Sequence, residues 1–150
     1  MVAEPRPGRY RYEAQSPLGA RDGAIDWNRS QVLSPEGEVR GGVLMLHGMS
    51  DSPYSLRHLA EVYRARGFVV VIPRLSGHGT APSGLRSAQW TDWLATAELG
   101  AREVRARIGA GQPFHVVGYS NGAALALKYA MDRVDITGDV GLPAPDRVVM

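Results

Sequence analysis

One serine in the sequence has neighbours that could make it a nucleophile. Ser120 is the centre of Gly118–Gly122 (G-Y-S-N-G), which fits the G-x-S-x-G pattern of a nucleophile elbow. The pattern follows a short apolar run, Phe114–Val117, and precedes an Ala/Leu-rich run, Ala123–Met131. These runs predict a strand that turns sharply into a helix, which strains the apex residue and requires glycines where the two elements nearly touch. The spacing therefore predicts an exposed hydroxyl beside a helix N-terminus, where negative charge is favoured.

The elements that must position this serine form a regular alternation. Gly42–Leu46 and Phe68–Ile72 are continuous apolar runs, which is typical of strands buried on both faces of a parallel sheet. Ser52 and Pro53 are suited to the cap and first residue of the helix between them. Alternating strands and helices predict a three-layer α/β sandwich with a mostly parallel, helix-covered sheet. A long helix before the elbow strand has an apolar stripe at Trp90, Trp93, Leu94, Ala97, Ala101, Val104 and Ile108.

The chain as a whole is predicted to form a single domain. Residues 1–41 are expected to be a leader with early strands, one of them within Ala24–Leu33 before the turn at residues 34–37, and residues 42–150 the core. In an open α/β sheet, ligand sites lie beyond the carboxyl ends of the strands. His47, the 73–84 loop and Ser120 are therefore expected to meet at one edge of the sheet.

Composition and charge limit the kinds of binding partner, chemistry and cellular compartment that are expected for this chain. Hydrophobic residues make up 44% of the chain and charged residues 21%, with a net charge of +2. All 17 basic residues except Lys128 are arginines, but they are scattered, which argues against a nucleic-acid interface. The chain has no cysteine, which excludes disulfides and thiolate chemistry. The longest apolar runs fall far short of the roughly 20 residues that a membrane span needs. No secretory signal is visible, so a cytoplasmic protein is expected.

The run from about Gly42 to Met131 resembles an α/β-hydrolase, and within that group the lipase and carboxylesterase branch that includes bacterial monoacylglycerol lipases. Its motifs occur in the family's order, and the resemblance covers well over half of the chain. The matching motifs are L-M-L-H-G-M-S (Leu44–Ser50), P-R-L-S-G-H-G-T-A-P (Pro73–Pro82), W-T-D-W (Trp90–Trp93) and G-Y-S-N-G (Gly118–Gly122).

The resemblance implies transfer of an acyl group to water by a serine, on a small-molecule ester and without a cofactor or metal. Ser120 would attack the carbonyl carbon, and the backbone N–H groups of Met49 and Asn121 would form the oxyanion hole. His47 and Gly48 would shape the oxyanion loop. Gly118 and Gly122 would allow the tight elbow.

The sequence departs from the family in one important respect. In this fold the catalytic order along the chain is serine, acid, histidine, whereas His47, His58, His78 and His115 all precede Ser120. Residues 146–150 also resemble the start of another buried strand. These 150 residues are therefore expected to be the amino-terminal portion of a longer hydrolase, inactive alone, whose acid and base lie beyond Met150.

Other interpretations of the same residues remain open. His47 and His78 are expected to be structural rather than basic, and Trp90 and Trp93 to lie in the core, with Trp90 able to reach the substrate cleft. A nucleotide-binding loop is disfavoured because the Gly118–Gly122 turn lacks both G-x-G-x-x-G and a G-K-[ST] ending. A non-catalytic binding or regulatory protein that retains the fold is the main alternative.

Overall fold

The computed structural model describes residues 26–79, 82–135 and 141–150. The described residues form a five-stranded sheet with the order β1-β3-β2-β4-β5. β1 is antiparallel to β3, and the other neighbouring strands are parallel. The strands are β1 (Gln31–Leu33), β2 (Gly41–Leu46), β3 (Phe68–Ile72), β4 (Phe114–Gly118) and β5 (Arg147–Val149). The α-helices are α1 (Arg57–Ala65), α2 (Trp90–Arg105) and α3 (Asn121–Asp135), and 3₁₀ turns span Pro53–Leu56 and Pro82–Arg86.

Helices cover both faces of the sheet, which confirms the predicted α/β three-layer architecture. Because successive side chains of a strand point to opposite faces, Leu44 and Leu46 of β2 join the apolar cluster under α2 and α3. Val43 and Met45 join the cluster on the other face, which includes Ala60 of α1. All six residues of β2 are buried, and this explains why the strand is a continuous apolar run rather than an alternating one.

The order of the strands places the candidate residues at one edge. β2 lies between β3 and β4. The chain therefore passes from β2 to β3 along one edge of β2 and later forms β4 along its other edge. This reversal creates a crevice beyond the carboxyl ends of β2 and β4. Leu46 is paired with Gly118 in the parallel ladder. Consequently His47 and Tyr119, which follow these two residues, leave the sheet side by side.

The cap predicted at Ser52 is present. The Tyr54 N–H donates to Ser52 Oγ over 3.3 Å, and Pro53 is the first residue of the turn that follows. The predicted helix is divided, however, because its first four residues form a 3₁₀ turn before α1 begins at Arg57. Gly67 follows α1 with a φ of 88°, a conformation that glycine adopts without strain.

One sequence-based expectation needs correction. Trp90, which was expected in the core, is 56% exposed because it is the first residue of α2, whereas Trp93 one turn later is buried. The early strand expected within Ala24–Leu33 is present as Gln31–Leu33, while Ala24 and Ile25 lie outside the described residues. β5 is a strand as predicted, and it is the edge strand of the described sheet.

Most of the predicted leader, residues 1–25, also lies outside the described residues. Within the described ranges, no helix combines the length and the apolar character needed to cross a membrane.

Candidate active site

Ser120 lies at the apex of the turn between β4 and α3. Its φ of 53° is in the left-handed region, which costs a non-glycine residue free energy and is found mainly where the surroundings enforce it. The turn is fixed on both sides of the serine. The Tyr119 N–H donates to the Leu46 carbonyl over 3.0 Å, and the Gly122 N–H donates to the Tyr119 carbonyl over 2.9 Å. Ser120 remains exposed to solvent.

The two glycines of the turn occupy positions where a Cβ atom has no room. A Cβ on Gly122 would lie 2.0 Å from the Leu46 carbonyl oxygen, and a Cβ on Gly118 would lie 2.3 Å from the Gly122 carbonyl oxygen. Both obstructing atoms belong to the backbone, so a change of rotamer cannot relieve the clash. The close approach of β2, β4 and α3 therefore depends on glycine at both positions.

The loop after β2 lies against this turn. We call residues 47–52 the oxyanion loop, after the role that the sequence predicts for Met49. A Cβ on Gly48 would lie 3.2 Å from the Tyr119 ring, which shows how closely the loop and the turn approach each other. Met49 is half exposed, and Ser50 has a φ of 58°. The oxyanion loop therefore contains the second strained non-glycine residue of the described chain.

His47 is completely buried, and both of its ring nitrogens have hydrogen-bond partners. The Leu75 N–H donates to Nε2 over 3.1 Å, so this nitrogen carries no proton. Nδ1 therefore holds the proton of the neutral ring and donates it to the Gly48 carbonyl over 3.0 Å. Burial is the main reason why the pKa of His47 falls from its ordinary value of 6.5 to about 4. His47 thus connects the oxyanion loop to the loop after β3 as a neutral side chain.

His78 packs beside His47 in a buried group of rings. Its ring centroid lies 5.1 Å from that of His47 and 5.5 Å from that of Trp93. The Ser76 carbonyl lies 3.0 Å from His78 Nδ1, and it also accepts a hydrogen bond of 2.9 Å from the Trp93 indole N–H. These contacts attach the loop after β3 to α2 and make His78 part of the packing.

Comparison with known proteins identifies the family of the chain. Residues 43–149 match the alpha/beta hydrolase family. The chain belongs to that family. A thermostable monoacylglycerol lipase from Bacillus sp. (strain H-257) is 39% identical over 103 residues, which are 69% of this chain and 40% of the lipase. The magnesium-chelatase 30 kDa subunit of Rhodobacter capsulatus is 31% identical over 118 residues, covering 75% of this chain and 37% of that protein.

Solved structures of hydrolases share the fold. A structure from work on LipS and LipT, two metagenome-derived lipolytic enzymes, has a TM-score of 0.63 at 31% identity, over 72% of this chain and 42% of that one. A carboxyl esterase from Bacillus coagulans has a TM-score of 0.53 at 21% identity, over 75% of this chain and 36% of the esterase. The chain thus spans less than half the length of each of these proteins.

None of the four histidines forms a hydrogen bond with the Ser120 hydroxyl, although all four lie in the described ranges. His47 and His78 are packed as described above, and His58 is exposed on α1. His115 lies within β4 with its ring 5.1 Å from that of Phe68, and its pKa is lowered mainly by burial and further by the nearby Arg147. Within the described ranges, no group of three or more metal-ligating side chains is placed to hold an ion.

Sequence reasoning missed one buried polar residue beside these loops. Asn28 is only 3% exposed, and its Oδ1 accepts a hydrogen bond of 3.1 Å from Ser52 Oγ. No periodic pattern marks the residues around Asn28, so the local sequence does not indicate that its side chain is buried. Ser52 was predicted only as a helix cap. A buried serine hydroxyl that also caps a helix still needs an acceptor for its own proton. That requirement is the signal that points to a buried polar partner such as Asn28.

The buried, neutral state of His47 predicts a specific dependence of stability on pH. The unfolded chain binds a proton at this histidine near pH 6.5, whereas the folded chain does so only near pH 4. The stabilising effect is therefore complete above pH 6.5 and is lost as the pH falls toward 4. When the pH is lowered from 7 to 5, the free energy of unfolding of the whole protein is expected to fall by about 2 kcal/mol more than that of the His47→Gln variant.

Urea unfolding followed by circular dichroism at the two pH values measures this difference. His58→Gln is the matched control, because His58 is exposed and should leave the wild-type pH dependence intact. Equal losses in the wild type and in His47→Gln would contradict the prediction.

Proposed function

We propose that the whole protein is a serine-dependent carboxylic ester hydrolase and that Ser120 is its nucleophile. The observation that carries the proposal is the left-handed φ of 53° at an exposed serine between a strand and a helix, in a chain of the alpha/beta hydrolase family. Such strain persists where the surrounding structure enforces it, and it is concentrated at functional sites. At Ser120, the glycines on both sides and the hydrogen bonds of the turn hold the left-handed conformation in place.

In the proposed reaction, Ser120 Oγ attacks the ester carbonyl carbon while a base removes its proton. The carbonyl oxygen becomes an oxyanion that accepts hydrogen bonds from the backbone N–H groups of Asn121 and Met49. Asn121 is the first residue of α3, where N–H groups have no partner within the helix and the helix dipole favours negative charge. The tetrahedral intermediate then expels the alcohol, which takes up the proton. Water hydrolyses the acyl-enzyme and releases the carboxylic acid.

The base and the acid of this mechanism are proposed to lie in sequence beyond Met150. The positions of the four histidines support this, since none contacts the Ser120 hydroxyl and His47 uses both of its ring nitrogens in other hydrogen bonds. The chain also matches only 40% of the length of the monoacylglycerol lipase, which leaves room for these residues elsewhere.

The proposed substrates are small-molecule acyl esters, and monoacylglycerols are the first that we would test. The relative that is named a monoacylglycerol lipase and the structure from the work on lipolytic enzymes support this class. The proposed reaction uses no cofactor, nucleic acid or metal. Each of its steps is a proton transfer, an attack on a carbonyl carbon or the collapse of a tetrahedral intermediate.

A non-catalytic role is the second candidate. It is favoured by the likeness to the magnesium-chelatase 30 kDa subunit, a family relative whose name is not that of an ester hydrolase. A protein of this kind would retain the strained turn without a base positioned to activate its serine. The two candidates therefore differ in the reactivity of Ser120.

Labelling with a fluorophosphonate probe distinguishes these candidates, because the probe reacts with activated serines and only slowly with ordinary ones. The whole protein is expected to incorporate one probe per chain on the peptide that contains Ser120, as measured by intact mass and peptide mapping. Ser120→Ala should remain unlabelled. Ser87→Ala, which changes an exposed serine before α2, is the control and should label at the wild-type rate. Absence of labelling in the folded wild type would favour the non-catalytic role.

A further inference from the structure

The oxyanion loop has a strained backbone that its surroundings must hold in place. Ser50 has a φ of 58° in the middle of the loop, a conformation that costs a non-glycine residue on the order of 1–3 kcal/mol. At its start, the loop is anchored by the hydrogen bonds of His47 to Gly48 and Leu75. The far end of the loop is held as well, at Ser52.

The anchor at the far end of the loop is a buried pair of polar side chains. Ser52 is completely buried, and its hydroxyl donates to Oδ1 of Asn28 over 3.1 Å. The same hydroxyl oxygen accepts the Tyr54 N–H over 3.3 Å. Ser52 Oγ thus uses its proton and one lone pair within the protein. Asn28, which is 24 residues earlier in the sequence, is the acceptor that fixes the direction of this proton.

Asn28 is itself held by the turn in which it lies. The Asn28 N–H donates to Asp26 Oδ1 over 3.1 Å, and the Arg29 N–H donates to the Asp26 carbonyl over 3.1 Å. Trp27, between them, packs against the apolar cluster on the α1 face of the sheet. The acceptor for Ser52 is therefore placed by a compact turn with its own anchor in the core.

The same turn also contacts the second loop at this edge of the sheet. Ser30 Oγ accepts the Arg74 N–H over 2.9 Å. A Cβ added to Gly79 would lie 2.7 Å from the Asn28 carbonyl oxygen, so the backbones are in close contact there. Residues 26–30 thus touch both the oxyanion loop and the loop after β3.

We propose that Asn28 is a positioning residue for the oxyanion hole and acts through Ser52. This inference rests on the proposed function, because it assigns the Met49 N–H to the oxyanion. Without the Asn28 oxygen, the buried Ser52 proton loses its acceptor, and the loop loses one of the contacts that hold its far end. The Met49 N–H then no longer points at the position that the oxyanion occupies in the transition state. A donor that is misplaced in this way lowers kcat and leaves the binding of the ground-state ester unchanged.

Kinetics of Asn28→Ala in the whole protein test this proposal. Full removal of one oxyanion donor costs about 10²–10³ in kcat, so displacing a donor is expected to lower kcat about tenfold or more. KM should remain within about twofold of the wild type, since substrate binding is not altered. The affinity for a trifluoromethyl ketone, which forms the tetrahedral adduct, should fall by the same factor as kcat/KM. A residue that only supports the fold would lower apparent kcat by reducing the fraction of folded enzyme, but the remaining folded enzyme would keep its affinity for the ketone.

Tyr129→Phe is the matched control. It removes one hydrogen bond of 2.6 Å, from Tyr129 to the Pro143 carbonyl, two turns along α3 from the candidate site. This variant should keep the wild-type kcat. Ser52→Ala breaks the Asn28 hydrogen bond from the other side, and the double variant Asn28→Ala/Ser52→Ala should lose no more kcat than Ser52→Ala alone. If Asn28→Ala does not fold, the lowered kcat with unchanged KM in Ser52→Ala still tests the anchor.

The outcomes separate this inference from the proposed function. Turnover that survives Ser120→Ala would overturn the proposed function. If the enzyme depends on Ser120 but both Asn28→Ala and Tyr129→Phe keep the wild-type kcat, only the positioning role is overturned. Equal losses of kcat in these two variants would also overturn it, because they would reflect stability rather than geometry. Independent, additive losses in the double variant would show that Asn28 does not act through Ser52.

Discussion

Replacing Ser120 with alanine in the whole protein is expected to lower kcat for ester hydrolysis by on the order of 10⁴–10⁶-fold, with little change in KM. The hydroxyl oxygen is the atom that forms the acyl bond, so its removal eliminates the covalent path. What remains is attack by water, assisted by substrate positioning and by the oxyanion donors. In a comparable triad system these retain only about 10³–10⁴ over the uncatalysed reaction. The alanine should fit without strain beyond that already present at a φ of 53°.

The measurement is the steady-state hydrolysis of a p-nitrophenyl ester and of a monoacylglycerol. Ser87→Ala serves as the matched control because it removes an exposed hydroxyl from a position outside the candidate site. It should retain wild-type kcat and KM on both substrates. Thermal unfolding of the two variants checks that the comparison is between folded proteins. Turnover in Ser120→Ala within tenfold of the wild type would show that another group is the nucleophile.

Much of the fold could be predicted from the sequence because two separate features identify the buried strands. Gly42–Leu46 and Phe68–Ile72 are apolar on both faces, and each is bounded by glycine or proline. These features identify parallel strands of a helix-covered sheet without any knowledge of the contacts. The turn at Ser120 could be predicted for a similar reason. Two glycines at fixed positions beside one serine are a direct consequence of the space available there, as the absence of room for a Cβ at Gly122 shows.

Other features depend on contacts between distant parts of the chain and are not encoded locally. Trp90 and Trp93 have the same spacing as other stripe residues, and only the position of the first at the start of α2 leaves it exposed. Asn28 is buried where its side chain accepts a hydrogen bond from Ser52, a residue far away in the sequence. The neutral state of His47 likewise depends on the Leu75 N–H, which belongs to the next strand–loop unit. Periodicity detects a buried face, but it does not identify the partner of a buried polar group.

Gly122→Val is expected to lower the free energy of unfolding of the whole protein by at least about 3 kcal/mol and to abolish most of the activity. A Cβ at this position would lie 2.0 Å from the Leu46 carbonyl oxygen and 2.7 Å from the His47 carbonyl oxygen. Both atoms are in the backbone where β2 passes into the oxyanion loop. The clash can be relieved only if α3 moves away from β2, and that movement displaces Ser120 and the Asn121 N–H relative to Met49. Stability and turnover should therefore fall together.

Gly37→Val is the matched control for this substitution. A Cβ on Gly37 meets no heavy atom within 4 Å, so the same side chain should be accommodated there at little cost. Urea unfolding and ester hydrolysis of the two variants measure both effects. Gly122→Ala, which adds the Cβ alone, should lie between Gly37→Val and Gly122→Val in stability, because the first added carbon already meets the Leu46 carbonyl. A Gly122→Val protein with the unfolding midpoint and kcat of Gly37→Val would mean that β2 and α3 do not approach each other as closely as the structure places them.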